Sequence, residues 1–263
     1  MVKIKSVSRC RPVNFYADGY LLKGMLHLPS VVCPPVVIGS HGLLSTSDSP
    51  KQIALADRCN RHGIAFLRFD HRGCGRSQGI LKEVTSLEAR AADLRCAVRW
   101  IRKRRDLGDS IGLFGSSMGG AACLCVAAAT GVDAVVTFAA PIRSRTIHHS
   151  EHPVNGSVTA SNRAAEWHLQ FDISDRLGHI GNILIFHGDA DEIVPFADAF
   201  EIYNGVGEPK RLIRQKGGDH LMSRKTHQDR FVRETASWFE TRLFGNRRVH
   251  TAWPVSADGG QSR

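Results

Sequence analysis

Short apolar runs alternate with helical patterns along most of this chain, and that alternation restricts its fold more than any other feature. Residues 36–38, 64–69, 111–114, 134–138 and 183–186 are runs dominated by aliphatic and aromatic side chains. Such runs, with no polar residue at every second position, read as strands buried on both faces. Residues 210–214 read as a further strand nearer an edge, since charges flank its apolar centre. Between the runs lie helical stretches. One carries Leu87, Ala91, Leu94, Val98 and Ile101, spaced four, three, four and three residues apart. Another carries Val232, Ala236, Phe239 and Leu243. The expected class is α/β, a mostly parallel twisted sheet with helices on both faces.

Two segments depart from the rhythm. Residues 142–182 follow a strand but hold no second buried-strand pattern, and they contain His148, His149, Glu151, His152, Trp167, His168 and Phe171. An insertion at that point reads either as a lid over a pocket or as ordinary surface helices. Residues 246–263 are polar and rich in small side chains and read as a flexible tail, leaving residues 1–245 as one domain.

No stretch approaches the roughly 20 apolar residues that cross a bilayer. The start, Met1-Val2-Lys3-Ile4-Lys5, lacks the apolar core of a secretion signal. Seven cysteines cannot all pair within one chain, and those at 59, 96, 123 and 125 fall in apolar helical surroundings. Together these features predict a cytoplasmic protein without a membrane span. The net charge of +10 is partly concentrated in Arg99, Arg102, Lys103, Arg104 and Arg105. No nucleic-acid motif accompanies these cations. They suit the negative end of a helix dipole, so no nucleic-acid partner is expected.

The chemistry-bearing stretch is Ile111-Gly112-Leu113-Phe114-Gly115-Ser116-Ser117-Met118-Gly119-Gly120, followed by an alanine-rich run. Its form is strand, G-x-S-x-G, helix. A nucleophile on so sharp a turn takes a strained backbone conformation that leaves little room beside it, and Gly115 and Gly119 supply that room. Ser116 lies one position off the centre, so the spacing selects Ser117. Its hydroxyl would stand near a helix N-terminus, where N–H groups face developing negative charge. An earlier strand runs into His41-Gly42-Leu43-Leu44, where a small residue lets the chain pass close to the nucleophile. The amides of Leu43 and Met118 are then the candidate oxyanion donors, and His41 reads as a structural, hydrogen-bonded histidine.

A serine hydroxyl needs a base, and the base needs an orienting group. The strand at 183–186 ends in the carboxylate-rich turn His187-Gly188-Asp189-Ala190-Asp191-Glu192-Ile193-Val194-Pro195. The next strand leads to Lys216-Gly217-Gly218-Asp219-His220-Leu221. Both loops would open at the same strand ends as the elbow.

With the elbow, these loops and Asp70-His71-Arg72-Gly73-Cys74-Gly75-Arg76-Ser77, which is similar to a D-x-R-G-x-G-x-S turn, the chain resembles the α/β-hydrolase superfamily. Among its members it is most similar to the compact esterase and dienelactone-hydrolase-like groups, over residues 21–244. The resemblance implies an α/β-hydrolase fold and a catalytic triad of Ser117, Asp191 and His220, with Asp189 as the alternative acid. It implies a serine hydrolase that cleaves carboxylic esters of small molecules through an acyl-enzyme. A thioesterase or peptidase with the same triad, and a non-catalytic binding protein on the same fold, are the other readings.

No cofactor or metal is expected. Gly73-Cys74-Gly75 lacks the third glycine of a dinucleotide loop, because Gln78 stands there. His148-His149-Ser150-Glu151-His152 has the spacing of an inverted zinc motif, but Pro153 follows at once and no third ligand is evident.

Overall fold

A computed structural model describes residues 9–146 and 169–245. The stretches 147–168 and 246–263, with most of the candidate lid and the expected tail, lie outside the described residues.

Eight strands form one sheet in the order β1-β2-β4-β3-β5-β6-β7-β8. β1 (Arg9–Ala17) and β2 (Tyr20–Leu28) form an antiparallel hairpin. Its turn is Asp18-Gly19, both at positive φ (47° and 85°). Two left-handed residues match the right-handed twist of the flanking strands, and Asp-Gly tolerates that conformation. β2 pairs antiparallel with β4 (Ala65–Phe69), and all later neighbours are parallel. The remaining strands are β3 (Val36–Ser40), β5 (Ile111–Ser116), β6 (Ala134–Phe138), β7 (Ile183–Gly188) and β8 (Lys210–Gln215). Every residue of β3, β6 and β7 is buried, which explains their largely apolar character.

The helices divide between the two faces. α1 (Pro50–Arg61) and the C-terminal helix α6 (Lys225–Phe244) cover one, contributing Leu55, Cys59, Phe231, Phe239 and Leu243 to a core with Phe66, Phe114, Phe138 and Phe186. α3 (Leu87–Arg102), α4 (Met118–Thr130) and α5 (Phe196–Gly205) cover the other, reached from β4 through the short α2 (Leu81–Val84). Ser49 caps α1 through Gln52 N–H with Pro50 at its start, and Ser86 caps α3 through Ala89 N–H at 3.0 Å. The positions 87, 91, 94, 98 and 101 read as the α3 stripe are all buried.

The topology fixes where a site can form. β3 lies between β4 and β5 at the point where strand order reverses. The helix after β3 goes to one face and the helix after β5 to the other. A crevice therefore opens beyond the carboxyl ends of β3 and β5, where open α/β sheets bind their ligands. Among the described residues, no helix is long and apolar enough to cross a membrane.

The α6 face is set by close contact. Phe239 is fully buried, and a Cβ on Gly112 of β5 would come within 2.7 Å of its ring. Phe239→Ala should therefore cost about 3–5 kcal/mol. Urea unfolding should show this as a lowered midpoint at unchanged slope, and a midpoint within error of wild type would contradict the packing described.

Candidate active site

Ser117 is the single residue between the end of β5 and the start of α4, and its backbone lies at φ 53° and ψ −125°. A non-glycine residue there is strained and persists only if its surroundings hold it. Ser117 N–H donates to the Phe138 carbonyl at 2.8 Å, and the Ser117 carbonyl accepts from Gly120 N–H at 2.7 Å. The crossing is too tight for side chains. A Cβ on Gly115 would meet the Gly119 carbonyl oxygen at 2.3 Å, and one on Gly119 would meet the Ser40 carbonyl oxygen at 2.2 Å. At Gly42, by contrast, a Cβ would make ordinary contacts of 3.6 and 3.7 Å. The residue that lets the loop pass close to Ser117 is therefore Gly119, on the helix side, rather than Gly42. Ser116 belongs to β5, in register with Phe138.

His220 and Asp191 approach from the loops after β8 and β7. His220 Nε2 is 3.1 Å from Ser117 Oγ, and Nδ1 is 3.0 and 2.9 Å from the two Asp191 carboxylate oxygens. A carboxylate only accepts, so Nδ1 carries the proton and Nε2 presents its lone pair to the hydroxyl. The Asp191 side chain is buried. Its Oδ1 also accepts from the Ile193 and Val194 N–H groups at 2.9 and 2.8 Å. Burial works to raise the Asp191 pKa. Hydrogen bonds from His187, His220 and Val194 outweigh it and hold the carboxyl well below the usual range. The fully buried His187 donates through Nε2 to the Val194 carbonyl at 2.9 Å, with the same nitrogen 3.3 Å from Asp191 Oδ2. Asp189 is engaged elsewhere, with Arg214 Nε at 2.6 Å and the Gly217 N–H.

The candidate oxyanion donors come from the loop after β3 and from the start of α4. Among the described residues, the N–H groups of Leu43 and Met118 make no hydrogen bond and remain available at the rim. The loop's opposite edge is gripped by a residue that the sequence pattern does not single out. Arg90 of α3 is fully buried, and its guanidinium donates to three consecutive carbonyls: His41 at 3.0 Å, Gly42 at 3.4 Å and Leu43 at 3.1 Å. With those carbonyls turned inward to Arg90, the loop is held in one conformation. The signal for Arg90 is its place three residues after Leu87 and four before Leu94, on the apolar stripe, where a charge must be paired.

A second layer lies beneath. His41 Nε2 accepts from the His71 N–H at 3.1 Å, which leaves Nδ1–H to donate to the Gly42 carbonyl at 2.8 Å. Burial and the nearby Arg90 charge keep this ring neutral, consistent with the structural role expected of it. Ser40 Oγ, His71 and Asp93 form a serine–histidine–aspartate line of their own, with contacts of 2.8 and 3.3 Å. All three are fully buried, so no substrate reaches them. Their effect is to tie β3 to α3. Arg72 joins in, its N–H and Nε donating to Asp93 at 2.9 and 2.8 Å and Nη2 to Asp18 at 2.8 Å. Asp70 accepts from the Ser47 and Arg76 N–H groups at 2.7 and 3.0 Å, which binds the D-x-R-G-x-G-x-S turn to the same loop.

Other candidates separate from the site. Arg143, within the candidate lid segment, pairs with Asp172 and Glu201. Leu169 and Phe171 pack against the α3/α4 core. His148, His149, Glu151, His152, Arg163, Trp167 and His168 lie outside the described residues. Among the described residues, no group of three or more His, Cys, Asp or Glu side chains could hold a metal ion.

Comparison with known proteins points one way. Residues 34–168 match the family described as serine aminopeptidase, S33. The chain is 32% identical over 224 residues to the uncharacterized protein YfhR of Escherichia coli K12, covering 80% of this chain and 72% of that one. It is 25% identical to the mouse mitochondrial palmitoyl-protein thioesterase ABHD10, covering 73% and 70% of the two chains. Among solved structures, a Pyrococcus furiosus esterase superposes with a TM-score of 0.77 at 16% identity, over 90% of this chain and 92% of the other.

The buried layer carries a pH dependence. Burial lowers the His71 pKa to about 4, against a partial opposing pull from Asp93. Below about pH 6.5 the unfolded chain takes up a proton here that the folded chain refuses until about pH 4. Stability therefore falls as pH drops through that window, by up to about 3 kcal/mol from this group. Urea midpoints measured from pH 7 to 4 should decline, with a shallower slope in His71→Asn. An equal slope in that variant would assign the decline to other groups.

Proposed function

We propose that this chain, which belongs to the serine aminopeptidase S33 family of α/β hydrolases, hydrolyses carboxylic esters by acyl transfer through Ser117. The observation that carries the reading is the line of contacts from Ser117 Oγ through His220 to Asp191, at 3.1 and 2.9 Å. Ser117 Oγ attacks the ester carbonyl carbon while His220 Nε2 takes its proton. The carbonyl oxygen becomes an oxyanion facing the Leu43 and Met118 N–H groups. As the tetrahedral intermediate collapses, the C–O bond to the alcohol breaks and His220 returns the proton to the leaving oxygen. Water, deprotonated by the same nitrogen, then attacks the acyl-enzyme and releases the acid and free Ser117. Asp191 stays ionised throughout, fixing the imidazole tautomer and balancing its transient charge.

An ester is less demanding than an amide for this arrangement, since an alkoxide leaves more readily than an amine. A thioester is the second reading, favoured by the similarity to the mouse palmitoyl-protein thioesterase. All seven cysteines are free, which supports assigning the chain to the cytoplasm.

A fluorophosphonate probe should label the wild-type protein, and Ser117→Ala should lose both labelling and p-nitrophenyl ester turnover. Labelling that persists in Ser117→Ala, or its absence from wild type, would overturn the reading in favour of a binding protein.

Arg90 acts through the loop it grips, not on the substrate. Arg90→Met should lower kcat about 100-fold while leaving KM within a few-fold, the pattern of a lost transition-state contact. A KM rise with unchanged kcat would mean that the loop serves ground-state binding instead.

A further inference from the structure

We infer that Lys51 is a positioning residue for the base: its ammonium holds the Leu221 carbonyl and so fixes the turn that carries His220. The inference deepens the acyl-transfer reading and rests on it.

The turn after β8 is held by its main chain. Leu221, the residue after the base, has a side chain that is 70% exposed, so packing does little to place it. Within the turn, the Met222 N–H donates to the Asp219 carbonyl at 3.2 Å and the Ser223 N–H to the Asp219 carboxylate at 2.8 Å. Three side chains grip it from outside. Glu192 accepts from the His220 N–H at 3.1 Å, Gln228 donates to the Met222 carbonyl at 2.8 Å, and Lys51 Nζ donates to the Leu221 carbonyl at 3.2 Å. Lys51 differs from the other two in also touching the support of the nucleophile. Its ammonium lies 4.5 Å from the centre of the Phe138 ring, and the Phe138 carbonyl accepts the Ser117 N–H at 2.8 Å. One ammonium thus ties α1 to the turn of the base and to the strand end behind Ser117.

The charge is costly where it stands. Lys51 is the second residue of α1, at the positive end of the helix dipole, with no acidic residue in the first turn. Burial pulls its pKa down to about 8, against the attraction of Asp219 and Asp191. An apolar side chain would avoid both costs. It could not bind a carbonyl directionally, nor answer the charge of Asp191, the candidate triad acid. The other flank of Ser117 is built on the same plan, with the Arg90 guanidinium on the carbonyls of the Leu43 loop. In each case a helix-borne cation takes main-chain carbonyls and leaves the remaining groups of the loop to face the reacting atoms.

The test uses the full-length protein with p-nitrophenyl acetate as substrate. Lys51→Met keeps the length of the side chain and removes its donor and charge. It should lower kcat about tenfold or more with KM within about twofold. Its urea midpoint should be no lower than that of wild type, because a costly charge has gone. Hydrogen exchange should quicken several-fold at the amides of residues 220–223 and stay unchanged in α3. Lys225→Met removes an exposed cation from the same groove between α1 and α6, one paired with Asp229, and should leave kcat and exchange in the turn as in wild type. Unchanged kcat, a rise in KM in its place, or unchanged exchange in the turn overturns the inference. A urea midpoint that falls together with kcat also overturns it, making Lys51 a stabilising residue of the fold. Failure of wild type to take the fluorophosphonate label would instead overturn the acyl-transfer reading, and exchange in the turn would still decide whether Lys51 fixes it.

Discussion

The site is organised by one steric fact: α4 begins against the end of β3 with no room for a side chain between them. Gly119 lies under the Ser40 carbonyl so closely that a methyl group would overlap it. That contact makes the elbow and the loop after β3 a single unit. It brings the strained Ser117 backbone beside the Leu43 segment, so the candidate nucleophile and two N–H groups unpaired among the described residues come from segments over 70 residues apart in sequence. The strain at Ser117 is tolerated because the N–H to Phe138 and the carbonyl to Gly120 are both satisfied.

A rim built this way needs a rigid base, and the base is polar. Arg90, His71, Asp93 and Arg72 are buried together under the loop. Apolar residues of similar volume would be at least as stabilising in such a position, because desolvating the charges is costly. What an apolar layer cannot do is bind carbonyl groups directionally. The three carbonyls facing Arg90 would otherwise be buried without partners, and each orphan costs about 1–3 kcal/mol. The layer therefore exchanges some stability for a fixed loop. Asp93, which burial would push towards protonation, is held ionised by the hydrogen bonds from His71 and Arg72.

Features whose causes lie within a few consecutive residues were legible in the sequence. The parallel strands were, because burial on both faces leaves no polar alternation. The elbow was, because strand, serine, two glycines and helix are contiguous. The α/β-hydrolase fold follows from these, and the comparisons support it. The β1–β2 hairpin was not, because only Phe15 and Ala17 of β1 are buried and the rest reads as an exposed polar segment. Its one local sign was the Asp18-Gly19 turn. Arg90 escaped for a different reason. Its carbonyl partners are 47 to 49 residues away, and nothing near position 90 predicts which loop folds over it. Lys51 is similar: an ordinary lysine at a helix start acquires meaning only when Leu221, 170 residues later, closes over it.

The two flanks of Ser117 differ in a way that the proposed acyl transfer explains. On the Leu43 flank, Arg90 takes up the carbonyls of the loop, leaving its amides to face outward. Motion there would blur the position of an oxyanion and lose the benefit of pre-arranged dipoles. On the His220 flank, Asp191 holds the ring through Nδ1 and leaves Nε2 facing Ser117 Oγ. In the proposed mechanism one flank holds the oxyanion and the other moves the proton, and each is fixed by contacts on the side away from the reacting atoms.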